Sequence, residues 1–129
     1  MASLIKVVYA LPKLRVRNPS RNTVLADRAD IADTSAKRRT GLLKHSSLER
    51  GEGLWIAPCE AVHTFGMKFP IDVLFLDKKK KILKIRHDMK RARMSASLRA
   101  YSVLELPSGT AKATQTMAGD VLDFEKFEA

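Results

Sequence analysis

A single cysteine stands in the 129 residues of this chain, which excludes an intramolecular disulfide, and its spacing to the three histidines matches no structural zinc site. Long apolar runs are missing as well. The longest near the start, Val7 to Leu11, is far too short to span a bilayer. The same opening stretch holds one lysine and no convincing cleavage signal before Pro12, so a cytoplasmic protein without a membrane span is expected. Low-complexity tracts and internal repeats are absent, which argues against a disordered or solenoid chain. A single domain of this size buries roughly two-thirds of the surface its unfolded chain exposes, so its core needs no staple. No metal and no cofactor is expected.

Acidic residues are the minority, 14 against 24 lysines and arginines, for a net charge of +10. The excess is unevenly placed. Residues 1–50 carry +7 and residues 78–99, with ten basic groups and one acidic, carry +9, whereas residues 51–77 and 100–129 each carry −3. Such segregation gives either an ordinary solvated surface or a positive face that attracts nucleic acid or another anionic partner.

Aromatics make up only 6% of the chain, yet Trp55, Phe65, Phe69 and Phe75 all fall within Gly53 to Asp77, together with the one cysteine and two of the five prolines. That concentration marks a packed centre or the wall of a pocket.

The patterning predicts an α+β protein: a compact β-rich single domain, with a curved, mostly antiparallel sheet or partial barrel and two short helices. Residues 1–21, with two prolines and no periodicity, read as an irregular or weakly β N-terminal arm, and 22–129 as the domain. Thr23 to Ala32 reads as short strand material or as a hairpin with its bend near Asp27-Arg28. An N-cap at Asp33, Thr34 or Ser35 opens a basic helix of about three turns that ends at Gly41 or Leu43. Leu54 to Ala57 is a strand closed by Pro58, and Val62 to Met67 a second extended run. Ile71 to Leu76 is nearly all apolar, as a strand buried on both faces requires. Asp77 to Lys80 turns the chain into the alternating Lys81 to Arg86, which completes a hairpin. An Arg/Met-rich loop, His87 to Arg99, leads to a strand at Tyr101 to Leu106. A short helix from Pro107 to about Gln115 and a closing strand at Val121 to Phe124 follow.

Five blocks occur in order: Arg39-Thr40-Gly41-Leu42-Leu43, Gly53-Leu54-Trp55, His63 through Asp77, Tyr101 through Gly109, and Gly119-Asp120. In this they resemble the family called domain of unknown function 192, also uncharacterised protein family 0127, from about Val24 to Phe124. The resemblance implies a compact β-rich α+β domain and no particular reaction. In many relatives an aromatic precedes the central Met; here Gly66 stands there, leaving more room before Met67.

Three functional readings follow. The leading one is a small soluble binding or accessory domain with an aromatic cleft for a small ligand or a peptide segment. Trp55, Phe65, Met67 and Phe69 would wall it, Gly66 would permit close backbone approach, Lys68 and Asp72 would be polar anchors, and His63 would be a further ligand-binding residue. Asp72 reads more readily as a turn or hairpin brace, because a carboxylate in a buried strand must be paired. The second is non-specific nucleic-acid binding by Lys78, Lys79, Lys80, Lys81, Arg86, Lys90, Arg91 and Arg93, should the hairpin tip and the following loop converge. No aromatic is interleaved there to stack bases. The third is an enzyme using Cys59 or His63, with Asp72 as orienter. Along an extended strand Cys59 and His63 would lie about 13 Å apart, so a bend is required.

Overall fold

The centre of the protein is Ile71–Leu76, six consecutive residues that are all buried. The computed structural model describes residues 11–128. In chain order these are β1 (Pro12–Asn18), β2 (Thr23–Ala32), α1 (Ser35–Thr40), β3 (Gly51–Ile56), β4 (Ala61–His63), β5 (Ile71–Leu76), β6 (Ile82–Met89), β7 (Met94–Ala96), β8 (Ser102–Pro107), α2 (Thr110–Ala113) and β9 (Asp123–Glu128). Seven strands form one sheet in the order β6-β5-β8-β3-β2-β1-β9, and β4 pairs with β7 in a small second sheet. Every pairing in the large sheet is antiparallel except β2 with β3, whose long crossover carries α1.

Alternation along β5 and β8 sends side chains to two separate cores. Leu74, Leu76, Leu104 and Leu106 join Leu14, Val16, Leu25, Ile82 and Leu122 on the concave face. Ile71, Val73, Phe75 and Val103 join Leu42, Leu54, Ile56, Met67 and Met89 on the other. The apolar run of β5 is thus the signature of a strand covered on both sides. The sheet curls until its outer strands touch at one end, where Lys81 bridges Val121. There the Ile82 N–H donates to Asp120 O at 2.9 Å and the Leu122 N–H to Lys80 O at 3.0 Å.

Several local features follow the sequence closely. Thr34 is the N-cap of α1, accepting from the Lys37 N–H, and Gly41 is its C-cap. The helix has six residues, under two turns, because the chain must return at once to the sheet. The Val62–Met67 run is extended only as far as His63, and β6 runs on to Met89, into the stretch expected to be loop.

Two expectations are corrected. Residues 12–18 of the expected irregular arm are β1, an interior strand between β2 and β9; residues 1–10 lie outside the described residues. Its alternation is real, with Leu14, Val16 and Asn18 buried, but the intervening basic residues and two prolines mask it. The bend expected at Asp27-Arg28 is an irregularity in the pairing of one continuous strand, β2.

A buried polar cluster pins β1. Asn18 Nδ2 donates to Asp120 at 3.0 Å, Arg21 Nε donates at 3.1 Å, and the Met117 N–H donates at 2.9 Å. Burial works to raise the Asp120 pKa, but these donors outweigh it and hold the carboxyl below its ordinary value. Its contribution to stability is therefore complete above about pH 4 and is lost as pH falls through the depressed folded-state value. Asp120→Ala is expected to cost roughly 2 kcal/mol in urea unfolding at pH 7 and progressively less below pH 4. An equal loss at pH 7 and pH 3 would contradict this role.

Candidate functional site

The face of β8 that carries Val103 also carries Glu105, placed directly opposite Leu54 of β3 and Val73 of β5. Its neighbours in the sheet are thus apolar on both sides, and above it lies the second core. Glu105 is 5% exposed. Its carboxyl group has no hydrogen-bond or ion-pair partner among the described residues, and burial alone pushes its pKa up to about 7. Gly53 lets β3 pack close beside it, since a Cβ there would stand 3.0 Å from the Glu105 carbonyl oxygen.

The carboxyl group faces a cavity of about 320 Å³. Leu42, Ile56, Val62 and Met67 supply apolar lining, and Arg38, Arg39, Cys59 and His63 are its other ionisable neighbours. Arg38 is held by Ala57 O and Ser35 Oγ, each at 3.4 Å. Arg39 is exposed and makes no ion pair among the described residues. The last turn of α1 therefore brings positive charge to the cavity while Glu105 lies buried in it.

The structure divides the residues singled out by sequence among different places. Met67 and His63 line this cavity. Trp55 does not. Strand alternation turns it to the concave face, opposite Leu104, where its ring meets Phe124 edge-on at 5.4 Å. Phe69 packs against the second core. Phe65, 48% exposed, lies with Gly66 and Lys68 in a separate shallow groove that Lys90, Arg91 and Ala92 complete. Met67 touches both. The single aromatic cleft is therefore not assembled. Gly66 has φ +80°, a conformation that disfavours any side chain, and a Cβ there would meet Leu43 Cδ2 at 3.4 Å.

Asp72 is fully buried and braces the fold. It accepts from the Asp88 N–H at 2.8 Å and from the Ala111 N–H at 2.9 Å. The second bond caps α2, whose own N-cap residue, Gly109, has no side chain to do so. With both oxygens so engaged, Asp72 orients no histidine. Cys59 Sγ donates to Ala61 O at 3.2 Å, and burial pushes its thiol pKa up. The Cys59–His63–Asp72 trio is not assembled as a nucleophile, base and orienter.

The basic residues do not converge either. The 78–81 turn and the 90–93 loop sit at opposite ends of β6, roughly 25 Å apart at strand spacing. Lys80 Nζ lies 5.2 Å from the rings of both Trp55 and Phe124, and Lys78 Nζ lies 5.9 Å from the Tyr101 ring. Arg86 donates to Ser95 Oγ at 3.4 Å, and Arg93 donates to the carbonyls of Arg91 and Ala92. Among the described residues no group of three or more His, Cys, Asp or Glu side chains is placed to hold a metal, and no helix is long and apolar enough to cross a membrane.

This curved sheet is shared with solved structures. A protein of unknown function from Novosphingobium aromaticivorans DSM 12444 superposes with a TM-score of 0.74 at 21% identity, over 86% of this chain and 83% of that one. A protein from Sinorhizobium meliloti 1021, described as a candidate transcription regulator, gives a TM-score of 0.77 at 22% identity, over 92% and 97%. In sequence, a UPF0127 protein of Thermococcus sibiricus is 31% identical over 120 residues, covering 86% of this chain and 75% of that protein. The profile of domain of unknown function 192, described as uncharacterized ACR, matches residues 16–124, and the chain belongs to that family.

Sequence reasoning missed Glu105, Arg38 and Arg39 as site residues. Glu105 sits in a strand that alternates cleanly, so it reads as a solvent-facing position. The available signal was its place in the fourth matching block, between Leu104 and Leu106.

Two outcomes test the electrostatics. The folded-state pKa of Glu105 exceeds its unfolded value of 4.5, so its contribution favours folding below about pH 4.5 and is lost as pH rises through about 7. Glu105→Gln is expected to flatten the fall in stability between pH 5 and pH 8, by on the order of 2–3 kcal/mol. An unchanged pH profile in thermal unfolding would exclude a buried, unpaired carboxyl. The Cys59 thiol is expected to react with iodoacetamide at pH 7.5 more slowly than free cysteine; faster alkylation would revive the nucleophile reading.

Proposed function

We propose that the protein is a binding domain that takes a small ligand or a short peptide segment into the cavity over Glu105. The observation that carries this reading is Glu105, a residue 5% exposed whose carboxyl group lines a largely apolar cavity of about 320 Å³ and has no hydrogen-bond or ion-pair partner among the described residues. A buried polar group without a partner costs free energy, and a site tolerates it where a ligand supplies that partner. The volume falls at the lower end of small-molecule pockets. Because Cys59 is not activated and Asp72 is fully engaged, the arrangement favours binding over nucleophilic catalysis.

The test is a fragment screen followed by amide NMR shifts of the full chain. Hits are expected to move Leu42, Ile56, Val62, Met67 and Glu105. Ala61→Trp, at an exposed position on the cavity lining, is expected to abolish those shifts in a folded protein. Hits confined to Phe65–Lys68 and Lys90–Ala92 would overturn the assignment.

A second reading rests on that other groove. Exposed Phe65 stands beside Lys68, Lys90 and Arg91, an aromatic platform with phosphate-binding charge suited to single-stranded nucleic acid. The description of the Sinorhizobium meliloti protein is in line with it. Anisotropy of a labelled oligothymidylate should then rise on binding, fall steeply with salt, and be lost in Phe65→Ala. Binding unaffected by Phe65→Ala would remove this reading.

A further inference from the structure

We infer that the ligand of the Glu105 cavity is a small zwitterion, its ammonium group paired with Glu105 and its carboxylate with Arg39 and Arg38. The inference rests on the binding reading above and assigns its ligand class. It follows from two opposite charges around one small space. Glu105 lies within the sheet between Leu54 and Val73, where no protein cation reaches it among the described residues. Arg38 and Arg39, from the last turn of α1, line the same cavity.

Each single-charge ligand leaves one of these unanswered. A simple carboxylate would bring a second negative group toward Glu105 and could stay only by keeping Glu105 protonated, which leaves no ion pair for it there. A simple amine would enter a cavity lined by two guanidinium groups, on a protein of net charge +10. A neutral apolar molecule would cover the carboxyl group without satisfying it. A molecule with an ammonium at one end and a carboxylate at the other meets both demands. Arg38 already donates to Ala57 O and Ser35 Oγ, which fixes its guanidinium, whereas Arg39 keeps its full donor set for the ligand among the described residues. His63 and Cys59 are the remaining ionisable groups around the cavity, and neither supplies a fixed counter-charge to Glu105.

The experiment titrates the full chain, by amide NMR, with ω-amino carboxylates of two to six carbons and with the alkylamines and alkyl carboxylates of equal length. One amino carboxylate is expected to bind at least tenfold more tightly than its amine or carboxylate counterpart, shifting Glu105 and Val62. Glu105→Gln should reduce that preference over the carboxylate to under threefold. Arg39→Gln, at an exposed position, should weaken the amino carboxylate at least fivefold without weakening the amine. Equal binding of all three classes, blocked by Ala61→Trp, would overturn the zwitterion and leave the pocket standing. Absence of binding by every compound at millimolar concentration would overturn both.

Discussion

The double coverage of β5 and β8 is the constraint on which this structure depends. A sheet with one wet face can carry a polar residue at every second position without penalty. Here the concave face closes over one core, while the loop after α1, β4 and the segment from Met67 to Phe69 close over another. No position in the middle of β5 or β8 is then free to be polar at no cost. Ile71–Leu76 obeys this with one exception, Asp72, and Ser102–Leu106 with Ser102 and Glu105. Each exception needs its own account.

The two carboxylates receive opposite ones. Asp72 stands near the end of β5, on the concave face, where the backbone of α2 and of residue 88 comes within hydrogen-bonding distance. Its burial is offset by two N–H donors, and a four-residue helix gains the cap its own Gly109 cannot provide. Glu105 stands deeper in β8 on the other face, between two strands whose backbone groups are already used in the ladder. The same chemistry is a brace in one place and an unfilled demand in the other. The difference lies in where spare backbone donors are found, not in the side chains.

Much of the fold was legible for reasons tied to single residues. Thr34 and Gly41 delimit α1 because capping is a local matter of four or five residues. The apolar run at 71–76 and the turn at 77–80 gave the hairpin, where Asp77 Oδ1 accepts from the N–H groups of Lys79 and Lys81. What was illegible depended on partners distant in sequence. The burial of β1 rests on two strands from opposite ends of the sequence, with β9 on one side and β2 on the other. Trp55 belongs to an aromatic-rich segment, yet strand period sends it to the opposite face from Leu54 and Ile56, and nothing local says which face lines the cavity. Glu105 reads as a solvated residue in an alternating strand because alternation reports sides of a sheet, not whether a second layer covers them.

The basic segments teach the same lesson about charge. Residues 78–99 carry +9 as a stretch of sequence, but β6 is long enough to set its two ends roughly 25 Å apart, well beyond a Debye length at physiological ionic strength. Lys80 is drawn back onto Trp55 and Phe124, where a cation over two ring faces is attracted by their quadrupoles and shields the edge of the concave core. The charge that matters to the cavity instead comes from Arg38 and Arg39, in a different segment, brought there by the short length of α1. Since Gly41 stops the helix directly after Thr40, that glycine fixes both the return of the chain and the position of the two guanidinium groups relative to Glu105.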